Sequence, residues 1–289
     1  MMTMGNYPQE KRFCMKQPLY CSTGTMVGRA NTWNHRLFVE ASPEIKADGY
    51  ELMMVTAYYE KLSEVLCDAE KSVLPFPVIH AEKDIGFYLG GDDEDRAEAL
   101  RLFDVNCRMG QAIGAEKLVL HLWSGRRSDE DLSKNMSVLD DLYEACDKAG
   151  LSLLIENVPC AFYDPITNLS RVASVREGAK FVYDIRFGAF HEQNDAIVSS
   201  GALEGGRIDH LHVSDYVGPP HDFSSLRPIL HLGEGIIGIE ALLSQVARRY
   251  HGSVTLESPE ILVDGVAVHK INRDLDYIRR VFDTVQGEE

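Results

Sequence analysis

The apolar positions of the chain fall into short continuous runs that alternate with longer amphipathic segments. Runs that are apolar on both faces are typical of buried parallel strands, whereas spacings of three and four residues are typical of helices. Residues 151–159, LSLLIENVP, show the first pattern most clearly, because the apolar run is followed by Glu156 and Asn157 and stops at Pro159. We predict a buried strand here, after a helix that ends at Gly150.

The same pattern recurs along nearly the whole chain. Predicted strands lie within residues 19–26, 49–55, 76–83, 117–125, 151–159, 180–188, 208–216 and 253–259, with amphipathic segments between them. About eight alternating strands and helices predict an α/β protein, a single (β/α)8 TIM barrel. It forms one domain over residues 1–289, with residues 1–16 as a frayed lead-in and residues 27–48 showing weak periodicity. A doubly wound sheet is disfavoured because no glycine-rich phosphate-binding motif follows the first strand.

Composition narrows the class of protein. The chain has 289 residues, of which 45% are hydrophobic, enough for a full core. Its formal net charge of −16 favours a small-molecule substrate and argues against a nucleic-acid partner. The first residues, MMTMGNYPQEKRF, have no apolar core of the kind that a signal peptide needs, and no apolar run approaches the ~18 residues of a membrane span. Six cysteines without a CxxC pair indicate reduced thiols and a cytoplasmic location.

Ligand-type side chains occur where several of the predicted strands end. They are His80, His121, Glu156, Asp184, His212 and Glu257. A barrel brings its strand ends together around one axis, so these residues are expected to converge. A lone strand histidine is usually structural, but this many ligand-type residues on successive strands are hard to explain by packing. Clustered carboxylates repel each other unless a cation neutralises them, and carboxylate with imidazole suits divalent metals. The pattern predicts a metal or acid/base site.

Five motifs in the chain carry a family resemblance. They are the strand ending in Glu156-Asn157, Asp184, the HxHxxD of residues 210–215, the GEG of residues 233–235, and Glu257. With these motifs the chain resembles the xylose isomerase-like TIM-barrel superfamily, also described as sugar phosphate isomerase/epimerase or AP endonuclease family 2. This superfamily includes ketose 3-epimerases, hydroxypyruvate isomerases, inosose dehydratases and endonuclease IV. The resemblance implies one divalent cation (Mn²⁺, Mg²⁺, Co²⁺ or Zn²⁺), with Glu156, Asp184, His212 and Glu257 as ligands.

The chain also departs from that pattern. Many members have a histidine three residues after the aspartate, where this chain has Phe187. Endonuclease IV needs an Asp-x-His for its third zinc, and Ile229-Leu230-His231 stands in that region without the aspartate. A complete trinuclear zinc cluster is therefore not expected.

The resemblance implies a metal-dependent sugar or polyol isomerase or epimerase. Glu156 and Glu257 would exchange a proton α to a carbonyl, through an enediolate that the metal stabilises. The expected substrate-binding residues are His80, His121, Trp123, Asn157 and Arg186, with Trp123 walling off one face of the sugar. A dehydratase is a close alternative. An endonuclease IV-like phosphodiesterase and a non-catalytic metabolite-binding barrel subunit are the rival classes, and a homo-oligomer is plausible from the family.

Overall fold

The computed structural model describes residues 17–124 and 129–287, so the predicted lead-in of residues 1–16 lies outside the described residues. The barrel consists of eight parallel strands. They are β1 (Leu19–Ser22), β2 (Gly49–Met53), β3 (Val78–His80), β4 (Lys117–Leu120), β5 (Ser152–Glu156), β6 (Lys180–Asp184), β7 (Ile208–Val213) and β10 (Ser253–Leu256). The barrel closes in the order β1-β10-β7-β6-β5-β4-β3-β2. Two short strands, β8 (Asp215–Tyr216) and β9 (Ile229–Leu230), pair antiparallel beyond β7. The predicted (β/α)8 barrel is confirmed.

Helices connect the strands on the outside of the barrel. Those described are Arg36–Ala41, Leu62–Ala69, Asp84–Leu89, Asp93–Ile113, Ser133–Met136, Leu139–Ala149, Pro165–Val175, Ile185–Phe190, Asn194–Ser199, Ile239–Ala247 and Val268–Gly287. Helix Leu139–Ala149 ends at Gly150, whose φ of 73° is left-handed, so the predicted stop is confirmed. Within residues 17–124 and 129–287, no helix combines the length and the apolar character that crossing a bilayer requires.

The main apolar core lies between the barrel and its helices, whereas the barrel interior is divided into two halves. On one side Val78, Val119, Leu154 and Val182, from four adjacent strands, form a separate apolar cluster. On the other side the interior holds buried polar side chains, namely Glu51, His210, Ser253 and Thr255. A buried polar group is tolerated only when it is hydrogen-bonded, so this half of the interior must form a connected network. That network lies directly beneath the strand ends.

Candidate metal and substrate site

The six predicted strand-end residues lie together at the carboxyl end of the barrel. His80, Glu156 and Asp184 are the last residues of β3, β5 and β6, and His212 lies within β7. His121 and Glu257 directly follow β4 and β10. Five of the six are buried, whereas the Glu257 side chain is 18% exposed. The barrel therefore gathers residues that are far apart in sequence, as the strand-end pattern predicted.

Glu156 is held by three imidazole rings. Its Oε1 lies 2.8 Å from Nδ1 of His212, and its Oε2 lies 2.6 Å from Nε2 of His121 and 3.3 Å from Nε2 of His80. Burial acts to raise the pKa of Glu156, but the nearby His212 and His121 outweigh it and hold that pKa well below its ordinary value. The carboxylate is therefore ionised and fixed in position.

His212 has a carboxylate facing each ring nitrogen. Nε2 lies 3.2 Å from Oε2 of Glu51, while Nδ1 faces Glu156 at 2.8 Å and Oε1 of Glu257 at 3.7 Å. Burial lowers the pKa of His212, but Glu51, Glu257 and Glu156 outweigh it, and the net pKa lies well above the ordinary value. Without a metal, a protonated His212 balances the charge of these carboxylates. A divalent cation bound at Nδ1 would take over that role.

Glu51 is the functional candidate that the strand-end pattern missed. It is fully buried inside β2, where its Oε2 accepts from Thr255 Oγ1 at 2.9 Å and lies 2.9 Å from Nε2 of His210. Burial acts to raise the pKa of Glu51, but His212 and His210 outweigh it and hold the pKa well below its ordinary value. The available signal was a carboxylate in the middle of an apolar strand, a position that glutamate rarely occupies without a partner.

Asp184 offers one free oxygen to the site. Its Oδ1 accepts from the backbone N–H groups of Arg186 and Phe187 at 2.6 and 3.2 Å, capping helix Ile185–Phe190. Its buried Oδ2 has no hydrogen-bond partner among residues 17–124 and 129–287, and the nearest cation is Nη2 of Arg186 at 3.9 Å. Burial raises the pKa of Asp184 to about 7, with Arg186 opposing the rise and Glu257 adding to it. An unpaired buried carboxylate oxygen is costly unless a cation is bound.

Three groups of these side chains bring ligand atoms within 4.8 Å of one another. They are Asp184–His212–Glu257, His80–Glu156–His212 and Glu51–His210–His212, and His212 belongs to all three. The first two groups together contain the four predicted metal ligands, which come from four adjacent strands of the barrel. Carboxylate and imidazole are suitable ligands for Mn²⁺, Mg²⁺, Co²⁺ and Zn²⁺. The free Oδ2 of Asp184 and this donor set fit a divalent cation.

A cavity of about 270 Å³ opens above these groups. Predicted substrate-binding residues His80, His121 and Arg186 line it, together with Glu156 and Glu257. The segment of weak periodicity also contributes to the wall, through Gly28, Arg29 and Trp33. Phe187, at the position where many family members have a histidine, lines the cavity as an apolar surface. The cavity therefore combines an acidic centre with an aromatic wall and several cationic side chains.

Two predicted substrate-binding residues occupy other positions. Trp123, expected to wall off the sugar, is fully buried, and its indole N–H donates to the carbonyl of Val158 at 3.1 Å. Trp33 lines the cavity wall instead.

The Asn157 amide is hydrogen-bonded to the backbone of Asp184. Its Nδ2 donates to the Asp184 carbonyl at 3.1 Å, and its Oδ1 accepts from the Asp184 N–H at 2.6 Å. Asn157 therefore fixes a carboxylate of the site and does not line the cavity.

His231, the histidine of the incomplete Asp-x-His region, lies apart from the three ligand groups. Its Nδ1 is 2.6 Å from Oδ2 of Asp274 and its Nε2 is 2.7 Å from Oε1 of Glu260. Both ring nitrogens are thus engaged by carboxylates that belong to the last helix and to the loop after β10. This histidine connects a loop to the closing helix.

Solved structures share the fold at low sequence identity. The D-allulose 3-epimerase from Methylomonas sp. is 14% identical with a TM-score of 0.69, and the match covers 92% of this chain and 98% of that one. The 3-keto-D-glucoside 4-epimerase from E. coli is 17% identical with a TM-score of 0.64, covering 92% and 100%. The IolI protein, solved with a bound zinc atom, is 15% identical with a TM-score of 0.64, covering 94% and 97%.

No curated protein matches the sequence. A family model does match, that of the xylose isomerase-like TIM barrel, over residues 39–281. This range includes every strand of the barrel except β1, and it contains all six residues of the strand-end cluster. The chain therefore belongs to the xylose isomerase-like TIM barrel family.

Proposed function

We propose that the protein is a metal-dependent sugar isomerase or epimerase that moves a proton at the carbon next to a carbonyl. The observation that supports this most strongly is the buried Oδ2 of Asp184, which has no hydrogen-bond partner in the described part of the chain and lies in one ligand group with His212 and Glu257. A divalent cation at the base of the substrate cavity would be the partner that this oxygen lacks.

The proposed ligands are Glu156, Asp184, His212 and Glu257. A bound divalent cation would act as a Lewis acid that stabilises negative charge developing on a substrate oxygen. Mn²⁺, Mg²⁺, Co²⁺ and Zn²⁺ all suit this donor set. The similar IolI structure was solved with a bound zinc atom, which supports a divalent cation here. Glu51 would hold the Nε2–H of His212, which leaves Nδ1 free to act as the ligand atom.

Glu257 is the better placed of the two proposed acid/base carboxylates. Its side chain is partly exposed and lines the cavity, and among the described residues its shortest ion-pair distance is 3.7 Å, to Nδ1 of His212. Glu156, in contrast, has both oxygens engaged by histidines. We therefore assign proton removal from the substrate carbon to Glu257. In an epimerisation, Glu156 would deliver a proton taken from solvent to the opposite face of that carbon, and Glu257 would pass its own proton to solvent.

The remaining cavity residues would orient the substrate. His80 donates Nδ1–H to the carbonyl of Ala81 at 2.8 Å, which fixes its ring against His121 at a centroid distance of 4.9 Å. These two rings and Trp33 would contact sugar hydroxyls and the apolar face of the sugar. The sugar epimerases among the similar structures support a ketose as substrate.

The test is a conversion assay on D-allulose, D-tagatose, D-fructose and 3-keto-glucosides, followed by NMR. Metal-loaded wild-type protein should interconvert at least one epimeric or isomeric pair, and chelation should abolish the conversion. Glu156→Gln and Glu257→Gln should each lower the rate by about a hundredfold or more, the contribution typical of an acid/base group. An equal rate before and after complete metal removal would contradict the proposal.

A further inference from the structure

A chain of buried, hydrogen-bonded side chains runs along the barrel interior from the site to the opposite end. Nε2 of His212 lies 3.2 Å from Oε2 of Glu51, which lies 2.9 Å from Nε2 of His210. Nδ1 of His210 in turn lies 2.6 Å from Oγ of Ser253. All four side chains are buried, and Ser253 is the first residue of β10. The chain therefore connects the carboxyl end of the barrel to its amino end.

Lys117 terminates this chain at the amino end. It is the first residue of β4, which lies on the side of the barrel opposite β10. Its Nζ donates to Oγ of Ser253 at 3.0 Å and to the carbonyl of Asp209 at 2.9 Å, and it lies 3.3 Å from Oδ2 of Asp209. An ammonium group has three N–H donors, and each of them has a partner here. Lys117 is thus held across the amino end of the barrel.

The direction of the hydrogen bonds follows from the ammonium group, which can only donate. Oγ of Ser253 accepts from Lys117, and Nδ1 of His210 is the one acceptor that the structure, in its described part, offers to the Ser253 hydroxyl hydrogen. A proton on Nδ1 would leave this buried hydroxyl without an acceptor, which is costly. His210 therefore carries its proton on Nε2 and donates it to the Glu51 carboxylate.

The same direction continues to the site. Oε2 of Glu51 accepts from His210 and from Thr255 Oγ1 at 2.9 Å, so two donors hold the carboxylate in place. The carboxylate then accepts from Nε2 of His212, which turns Nδ1 of His212 towards Glu156 at 2.8 Å. Without the ammonium group, Ser253 is free to accept from Nδ1 of His210. The lone pair of His210 Nε2 would then face Glu51 and repel it.

We propose that Lys117, at the opposite end of the barrel, is a positioning residue for the metal ligand His212 and acts through this hydrogen-bonded chain. The inference rests on the proposed function, because it needs a divalent cation at Nδ1 of His212. Lys117 belongs to none of the three ligand groups, so its effect on the metal is indirect. A carboxylate that orients a metal-bound histidine is itself oriented by its own hydrogen-bond partners.

The experiment measures Zn²⁺ affinity by competition with a metal-binding dye and the ring protons of His210 by ¹⁵N NMR. In wild type, Nε2 of His210 should be protonated and Nδ1 should not. Lys117→Met, which keeps the apolar stem, should weaken Zn²⁺ binding by about three- to tenfold, less than the loss of a group that contacts the ligand directly. It should also place a proton on Nδ1 of His210 in a measurable fraction of molecules.

Two further variants show whether the effect passes along the chain. Ser253→Ala leaves Lys117 in place but breaks its link to His210, so it should also weaken Zn²⁺ binding. Lys180→Met is the matched control, because Nζ of Lys180 lies 3.2 Å from the same Asp209 carboxylate but does not contact Ser253. It should leave both the affinity and the His210 ring protons unchanged. Urea denaturation checks that each variant is folded.

The outcomes separate this inference from the proposed function. Wild-type Zn²⁺ affinity in folded Lys117→Met, or a lower affinity with unchanged His210 ring protons, would overturn the positioning role. If metal-loaded wild type converted a ketose in that case, the proposed function would stand. Weaker Zn²⁺ binding in Lys117→Met and Ser253→Ala but not in Lys180→Met, without conversion of any ketose by wild type, would support the positioning role and contradict the isomerase.

Discussion

Nε2 of His212 lies 3.2 Å from Oε2 of the fully buried Glu51. Glu51 belongs to β2 and His212 to β7, and strands β1 and β10 separate the two in the barrel wall. The contact therefore crosses the barrel interior. A carboxylate that holds one nitrogen of a histidine fixes the tautomer and the orientation of the ring, and makes the other nitrogen a better metal ligand. Under the proposed function, Glu51 is a positioning residue for the metal ligand His212.

Glu51→Gln should therefore weaken metal binding by about 10- to 100-fold, the cost typical of removing such a supporting group. Competition with a metal-binding dye measures the affinity for Mn²⁺ or Zn²⁺. Glu82→Gln is a suitable control, because Glu82 is also a buried glutamate but belongs to none of the three ligand groups. Equal metal affinity of the Glu51→Gln variant and the wild-type protein would contradict the positioning role of Glu51.

Metal affinity should fall as the pH is lowered. Burial raises the pKa of Asp184 to about 7, and the carboxylates around His212 hold its pKa well above the ordinary value despite its burial. Both groups must lose a proton to bind a cation, so protons compete with the metal and binding releases them. Between about pH 8 and about pH 6 the affinity should decrease, by up to about tenfold per pH unit for each group that is protonated.

Calorimetry in two buffers of different ionisation enthalpy measures the protons released when Mn²⁺ binds. The account predicts a net release that grows as the pH falls through 7, the value about which Asp184 titrates. A binding enthalpy that does not depend on the buffer would show that neither group is protonated in the metal-free protein.

Asn157→Ala should destabilise the metal-free protein. Both hydrogen bonds of the Asn157 amide go to the backbone of Asp184, and all of these groups are buried. Truncation leaves a buried N–H and a buried carbonyl without partners, which costs about 2 to 4 kcal/mol of unfolding free energy. Urea denaturation measures this loss. Asn34→Ala, which removes one exposed hydrogen bond, should change the unfolding free energy by less than about 0.5 kcal/mol.

The two tryptophans should behave differently. Trp33 lines the cavity, so Trp33→Ala should weaken ketose binding by about fivefold, corresponding to about 1 kcal/mol of aromatic contact. Trp123 is fully buried away from the cavity, so Trp123→Phe should lower stability through the lost bond to Val158 and leave ketose affinity unchanged. A loss of ketose affinity in a folded Trp123→Phe protein would indicate that Trp123 does contribute to substrate binding.

The strands and the strand-end cluster were predictable from sequence because both follow from local patterns. A buried strand needs a continuous apolar run, and a polar residue at its end has no packing role, so Glu156 and Asp184 could be recognised one strand at a time. The barrel then requires that such ends meet.

The residues that were missed depend on non-local geometry. Whether Glu51 faces the helices or the barrel interior is decided by its register between Ser22 of β1 and Val78 of β3, which a single strand does not reveal. Trp123 lies beyond the end of β4 at Leu120, and the sequence does not show that its side chain is fully buried there. Arg29 and Trp33 lie in short turns without periodicity, so no pattern could assign them to the cavity.

The most direct test of the central claim is solvent hydrogen exchange at the substrate carbon. Metal-loaded wild-type protein, incubated in D₂O with D-allulose, D-tagatose, D-fructose or a 3-keto-glucoside, should incorporate deuterium next to the carbonyl of at least one of them. Glu257→Gln, with its metal occupancy measured in the same sample, should lose this exchange, because the amide keeps the shape of the side chain but cannot accept the proton. Exchange at the wild-type rate in metal-loaded Glu257→Gln would contradict the assigned base. Absence of deuterium from every compound in the presence of fully metal-loaded wild type would contradict the account as a whole.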